Sequence, residues 1–155
     1  MNAWLAKSEP TTYSIEDLER DGTTRWDGVR NFQARNFLRA MKKGDRVLFY
    51  HSSAEPTGAA GLAEVAREAY PDPTQFDPKD DHYDAKSKKD DPLWSAVDLR
   101  HVRTFPRVVT IDELRATKGL EKLIILKRGN RLSVTPVTKA ELEKVVALAE
   151  KKPKG

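Results

Sequence analysis

The sequence contains no cysteine among its 155 residues. This absence excludes a cysteine nucleophile, a thiolate zinc site, an iron–sulfur cluster and a disulfide scaffold. Histidine is scarce as well. Its three copies, His51, His82 and His101, are too far apart in the sequence to build a zinc site on one helix. We therefore expect no metal site and no cofactor.

Long hydrophobic runs are also missing. No apolar stretch approaches the ~20 residues of a membrane-spanning helix, and the N-terminal segment MNAWLAKSEP lacks the basic and apolar regions of a secretory signal. A cytoplasmic protein is the simplest interpretation. The basic excess is small, 28 Lys and Arg against 24 Asp and Glu, so an anionic partner is permitted but few phosphate contacts are expected.

The length and pattern predict a single domain over residues 1–150, followed by a flexible basic tail at 151–155. Capping-box patterns predict helices that begin after Ser14, Thr110 and Thr138. A fourth helix is predicted over 32–42. The predicted strands are 4–6, 46–50, 61–66, 94–102, 123–126 and 132–134. Because most strands follow one another without a crossover helix, we expect an α+β fold, a mixed β-barrel with helices packed around it.

One segment reads as irregular. Residues 70–92 contain four prolines and alternate aspartate with lysine, which predicts a long, solvated surface loop. Loops longer than ~12–15 residues in compact domains are often functional.

Catalytic signatures are absent from the sequence. It has no phosphate-binding loop of the Walker type, no GxGxxG, no GxSxG and no HExxH. Enzymatic function therefore has little support.

Four polar clusters remain. In residues 24–31, Trp26 has no apolar neighbours at helix or strand spacing, so it either covers the edge of the core or forms a platform for stacking on a base. In residues 49–53, strand alternation requires that either Phe49 or Tyr50 be a core residue. The other two clusters are residues 7–10, where a strand ends in polar residues, and 129–134, where a turn offers a cation and a hydroxyl.

In this order, and over nearly the whole chain, these clusters resemble the EVE domain family, the small proteins related to thymocyte nuclear protein. The matching stretches are 4–10, 13–18, 26–36, 44–52, 61–65, 69–74, 83–87 and 129–134. The resemblance implies a PUA-like fold, a pseudo-barrel related to the YTH domain. It also implies binding of a modified base (methylated or hydroxymethylated cytosine, or N6-methyladenine) in DNA or RNA, without catalysis.

The resemblance also implies a set of site residues. Trp26 matches the family tryptophan that is best suited to stack on the base. The other matching positions are Lys7, Ser8, Asn31, Tyr50, His51, Arg131 and Ser133. Tyr83 is nominated as the second wall of an aromatic cage. Trp94 is only the reserve candidate, because it begins an alternating strand and is therefore expected in the core. Phosphate contacts are expected from a basic stripe that leaves the Trp26 segment: Arg30, Arg35, Arg39 and Lys42. The alternative interpretation of this stripe is an ordinary solvated helix face.

Three alternatives stay open. The first is an RNA-processing hydrolase or nuclease, in which His51 and either Glu9 or Asp27 supply acid–base chemistry. This alternative follows the ASCH-type domains of the PUA-like superfamily. The second is a binder of a free nucleoside, and the third is a protein–protein adaptor, which has no positive support.

Overall fold

The computed structural model describes residues 2–151, so most of the predicted basic tail lies outside the described residues. Strands and helices alternate irregularly along this part of the chain. The strands are β1 Ala3–Ser8, β2 Thr23–Trp26, β3 Arg46–His51, β4 Gly58–Pro71, β5 Ser95–Thr110 and β6 Val134–Val137. The helices are α1 Ile15–Asp21, α2 Phe32–Ala40, α3 Ile111–Ala116 and α4 Lys139–Glu150.

The strands form one mixed sheet in the order β2-β5-β4-β3-β1-β6. β1 and β3 pair in parallel, whereas the other neighbours are antiparallel. The predicted α+β class is confirmed. The predicted barrel is not closed, because β2 and β6 form two edges of an open sheet in the described part of the chain. Register shifts along the β4–β5 pair interrupt the ladder and favour bending of these long strands.

Both faces of the sheet are buried. Strand alternation sends Phe49 to the face covered by α1 and α2, and Tyr50 to the face covered by α3 and α4. Their exposures are 0% and 1%. The expectation that only one of the two is a core residue is therefore wrong, because each face of this sheet has its own core.

The helix signals in the sequence are confirmed. The side chains of Ser14, Thr110 and Thr138 each accept a hydrogen bond from the backbone N–H three residues later. In α2 the buried face includes Ala34 and Leu38, as the spacing predicts. Each cap of this type contributes about 1 kcal/mol to stability, because it satisfies a backbone donor that has no partner within the helix.

The strand predictions need correction at several points. The strands predicted at 61–66 and 94–102 are longer in the structure, as β4 and β5. The predicted strand at 123–126 is instead a short 3-10 turn at Ile124–Leu126, in a segment of successive turns. The last strand begins at Val134 rather than 132. The edge strand β2 at Thr23–Trp26 was missed, because its residues are alternately exposed and only half-buried and carry no apolar alternation.

The long loop (residues 72–94) is anchored by a buried carboxylate. The prediction of a solvated loop over 70–92 is wrong at its start, because residues 70–71 belong to β4 and Asp72 has 0% exposure. One carboxylate oxygen accepts from the Gly28 N–H at 2.8 Å and from the Arg30 guanidinium at 3.0 Å. The other accepts from the N–H and the hydroxyl of Thr74 at 2.8 and 2.6 Å. Four donors therefore replace the water that Asp72 loses on burial.

The two ends of the long loop are joined by a buried amide. Gln75, also fully buried, donates from its side-chain nitrogen to the carbonyl oxygens of Asp72 and Trp94 at 2.6 and 2.8 Å. Its side-chain oxygen accepts from the Trp94 N–H at 3.0 Å and from the Ser87 hydroxyl at 2.5 Å. These bonds give the loop a defined conformation without helix or strand.

We predict that Asp72→Asn lowers the free energy of unfolding at pH 7 by about 2–3 kcal/mol, because the amide loses the charge-assisted bonds. Burial alone raises the pKa of the Asp72 carboxyl, but the bonds from Thr74, Gly28 and Arg30 outweigh it and hold the pKa below its usual value. This stabilisation is therefore full above the unfolded-state pKa of ~3.9 and is lost as pH falls through the lowered folded-state pKa.

Urea unfolding at several pH values measures this difference. The matched control is Asp90→Asn, which changes an exposed aspartate of the same loop. Equal stability of Asp72→Asn and the unmodified chain at pH 7 would contradict the anchoring role.

Candidate functional site

A cavity of about 410 Å³ opens where β1 and β2 end. Of the residues predicted for the base pocket, four line this cavity: Lys7, Ser8, Trp26 and Ser133. Arg30, predicted for a phosphate contact, lines it as well. Its other walls are formed by residues 12–13, by residues 24–30 and by His82 from the long loop. Three of the four polar clusters in the sequence, residues 7–10, 24–31 and 129–134, therefore contribute to this cavity. The cluster at 49–53 does not.

Trp26 belongs both to the core and to the cavity. It is half-buried, and its ring meets Phe49 edge to face with the centroids 5.5 Å apart. It also lines the cavity wall. Trp26 therefore covers the edge of the core, as one of the two sequence alternatives predicts, and it also lines a cavity. Its role as a stacking platform stays a prediction. Packing against Phe49 fixes the ring in place.

The segment that follows Trp26, the Trp26 loop (residues 27–30), is held in one conformation. Its anchor is Asp72, through Gly28 and Arg30. Gly28 has φ +77, and a Cβ atom on it would lie 2.8 Å from the His82 imidazole. Only glycine therefore lets the His82 ring approach this backbone so closely. Arg30 also donates to the His82 carbonyl oxygen, at 2.8 and 3.0 Å.

The cavity contains one half-exposed ammonium group. Lys7 lies near the end of β1, where its backbone N–H donates to the Ser133 carbonyl oxygen at 2.8 Å. Burial lowers the pKa of the Lys7 ammonium from its ordinary value. On β2, the Nε atom of Arg25 lies 2.7 Å from a carboxylate oxygen of Asp27. Cationic hydrogen-bond donors and an anionic acceptor therefore both lie around the ring of Trp26.

Two predicted site residues have structural roles instead. Asn31 caps α2, and its side-chain oxygen accepts from the Ala34 N–H at 3.0 Å. Tyr50 is not brought to the cavity, because strand alternation places it in the core on the other face of the sheet. Burial raises the pKa of Tyr50 to about 12.

His51 is also a structural residue. It is 7% exposed, and its Nε2 accepts a hydrogen bond from the Ile15 N–H at the start of α1, at 3.1 Å. Burial lowers the pKa of His51, which favours the neutral ring that this acceptor role requires. His51 does not line the cavity, so the geometry gives no support to the acid–base alternative with Glu9 or Asp27.

The two remaining aromatic candidates and Arg131 lie outside the cavity lining. Tyr83 is 43% exposed in the long loop, one residue beyond His82. Trp94 is 5% exposed and stacks on Phe32 with the centroids 4.8 Å apart, while its indole N–H donates to Asp84 at 2.8 Å. The core role expected for Trp94 fits this burial. Arg131 is exposed, two residues before Ser133.

Three of the four predicted phosphate contacts are engaged within the protein. Arg30 binds Asp72 and the His82 carbonyl oxygen. Arg35 donates to the Leu93 carbonyl oxygen at 3.0 Å, and Arg39 donates to the Ser95 hydroxyl at 2.9 Å. The stripe therefore fastens the long loop to α2 rather than forming a free basic face. Lys42, the fourth member, is exposed.

Among residues 2–151, no three His, Asp or Glu side chains gather closely enough to hold a metal ion. No helix in this part of the chain is both long and apolar enough to cross a membrane.

Comparison with known proteins identifies relatives over the full fold. Human thymocyte nuclear protein 1 is 46% identical over 168 residues, which cover 97% of this chain and 75% of that protein. A solved structure from Pseudomonas putida has 54% identity and a TM-score of 0.92, and the match covers 95% of this chain and 99% of that one. The structure of human THYN1 protein in complex with 5-methylcytosine containing DNA has 45% identity and a TM-score of 0.91, with 99% and 100% covered.

A more distant structure, an ASCH mutant protein from Zymomonas mobilis, shares the fold alone, with 13% identity and a TM-score of 0.55. The α+β sheet of this chain has the expected PUA-like fold. The profile of the EVE domain matches residues 2–148. The chain therefore belongs to the EVE domain family.

Proposed function

We propose that this chain binds DNA that carries a modified cytosine, and that the modified base enters the cavity beside Trp26. The observation that carries the proposal is the cavity itself, which combines a fixed aromatic wall with both hydrogen-bond donors and acceptors. The proposal is supported by the 45% identity to human THYN1 protein, which was solved in complex with 5-methylcytosine containing DNA.

The cavity has the dimensions of a ligand site. Its volume of about 410 Å³ lies within the ~300–1,000 Å³ typical of small-molecule pockets. A base that leaves a duplex loses a few kcal/mol of stacking and pairing, and less in a single strand. Stacking on an aromatic ring returns ~1–3 kcal/mol. Trp26 is thus able to offset part of this loss, and the polar walls supply the remainder.

The second wall of the pocket is assigned to His82 in this proposal. The sequence predicts Tyr83 for this wall, but the preceding residue, His82, is the one that lines the cavity. The His82 ring lies against Gly28, and the carbonyl oxygen of His82 is held by Arg30. A planar imidazole in this fixed position provides a second surface against which a base can pack.

Backbone phosphates are assigned to a different basic segment from the one predicted. Lys127, Arg128 and Arg131 are exposed in the turn that leads to Ser133 at the cavity. The sequence from Leu123 to Thr138 contains no aspartate or glutamate, so these cations have no acidic neighbour along the chain. We expect them to contact phosphates beside the bound base, in place of the arginines of α2.

The first experiment measures binding of labelled single strands that carry cytosine, 5-methylcytosine, 5-hydroxymethylcytosine, adenine or N6-methyladenine, as DNA and as RNA. Burial of one methyl group contributes about 0.8 kcal/mol, so a preference of about fourfold for 5-methylcytosine over cytosine is expected in DNA. Trp26→Ala should weaken binding of the preferred strand by about 5- to 150-fold, because the stacking surface is lost.

Two controls accompany Trp26→Ala. Phe32→Ala removes an exposed aromatic ring outside the cavity and should leave affinity unchanged. Trp26→Phe keeps a ring and should recover part of the binding, and thermal unfolding of each variant verifies the fold. Equal affinity for all five bases, unaffected by Trp26→Ala, would contradict the proposed function.

A neighbouring pair of variants tests the second wall. His82→Ala should weaken binding by about fivefold or more, since stacking against a base is worth at least ~1 kcal/mol. Tyr83→Ala, one residue away, should leave affinity unchanged. The Arg30 bond to the His82 carbonyl oxygen involves the backbone and is kept in both variants. A larger loss from Tyr83→Ala would return the second wall to Tyr83.

Salt dependence tests the phosphate assignment. Replacing both Arg128 and Arg131 by Gln should reduce the slope of log affinity against log salt by about 1–2, because each phosphate contact contributes ~0.7 in single strands. Lys42→Gln, on the other predicted basic face, should leave the slope unchanged. The opposite result would assign the phosphate contact to the end of α2.

A further inference from the structure

One acidic group faces the cavity. Among the described residues that line it, Asp27 is the only aspartate or glutamate. It follows Trp26 directly, and its side chain is 28% exposed. One carboxylate oxygen accepts from the Arg25 Nε at 2.7 Å, and Asp27 forms no other hydrogen bond with residues 2–151. The second oxygen therefore retains its capacity to accept a hydrogen bond.

A carboxylate is an acceptor only, so it distinguishes bases by their donors. Cytosine carries an exocyclic amino group at C4, whereas thymine carries a carbonyl oxygen at the same position. The distinction matters because 5-methylcytosine and thymine carry the same methyl group at C5. A pocket that reads only the methyl group accepts both bases, and thymine is far more abundant than 5-methylcytosine in DNA.

We propose that Asp27 is the specificity-determining residue of the pocket, and that its carboxylate accepts a hydrogen bond from the C4 amino group and thereby excludes thymine and uracil. This inference rests on the proposed function. With thymine in the same position, the carboxylate oxygen faces a carbonyl oxygen, and neither has a hydrogen to donate. Both groups are then desolvated without a partner, which is the strongest form of discrimination that a polar site achieves.

The surroundings of Asp27 keep the carboxylate in place. Arg25 lies on β2, opposite Asp98 of β5, so the guanidinium extends from a paired strand rather than from a loop. The next residue, Gly28, is held by Asp72. Asp27 is thus fixed on both sides by residues that are themselves anchored, as an acceptor that reads a base edge must be.

The test uses one single-stranded DNA sequence with a central cytosine, 5-methylcytosine, uracil or thymine. These four bases separate the exocyclic group at C4 from the methyl group at C5. The unmodified chain should bind 5-methylcytosine at least about fivefold more tightly than thymine, and cytosine more tightly than uracil by a similar ratio. Asp27→Asn should reduce both ratios to within about twofold, because an amide presents either its oxygen or its NH₂ group to the base.

The methyl preference provides an internal control. In Asp27→Asn, the ratio of 5-methylcytosine to cytosine should stay at the value of the unmodified chain, because the methyl group contacts other walls. Asp90→Asn, an exposed aspartate of the long loop, should alter none of the ratios. Thermal unfolding verifies that both variants are folded.

The outcomes separate the inference from the function on which it rests. If the chain prefers 5-methylcytosine to cytosine but Asp27→Asn still rejects thymine, or if the unmodified chain accepts thymine, the role of Asp27 is overturned and the proposed function stands. If the unmodified chain does not prefer 5-methylcytosine to cytosine, the proposed function fails and the inference fails with it.

Discussion

The buried carboxylate of Asp72 connects two parts of the chain that are 44 residues apart, and the geometry of the cavity depends on that connection. Through Gly28 and Arg30 it holds the Trp26 loop, and through Thr74 it fixes the start of the long loop that carries His82. A buried carboxylate without donors is strongly unfavourable, so these segments are not free to separate one at a time. The cavity is therefore preformed, although most of its walls are irregular backbone.

The local signals in the sequence were reliable, whereas the position of each element in the sheet was not. Helix caps such as Ser14 and Thr138 are short-range patterns, and the structure confirms them. The burial of Tyr50 and the polar edge strand at Thr23–Trp26 depend on which elements cover each face of the sheet, which no short window of sequence specifies. The open sheet has the same cause, because strand alternation does not reveal whether two edge strands meet.

The lining of the cavity was predicted in part, for a related reason. Three sequence clusters converge on the cavity, and Trp26, Lys7, Ser8 and Ser133 line it. The sequence predicts a free basic stripe at Arg35 and Arg39 because their partners are distant along the chain. Arg35 donates to the Leu93 carbonyl oxygen and Arg39 to the Ser95 hydroxyl, and neither partner has a sequence signature. His82 rather than Tyr83 lines the cavity because of the backbone conformation of an irregular loop, in which neither helical nor strand periodicity predicts the direction of a side chain. Long-range hydrogen bonds thus decided the roles that composition and spacing left open.

Recognition of a methylated base, as proposed for this chain, requires a division of roles among the residues of the cavity. A methyl group contributes only about 0.8 kcal/mol, so its burial alone gives a severalfold preference. In the proposed site, stacking on Trp26 adds affinity but accepts any base, because every base has a planar face. Identity must then come from a polar group that cannot adapt to the wrong base. A flexible carboxylate would turn away from a carbonyl oxygen, whereas one held between the Arg25 pair and the anchored Gly28 backbone has little freedom to do so. In the proposed site, the rigidity that Asp72 gives to the Trp26 loop is therefore the condition for discrimination by Asp27.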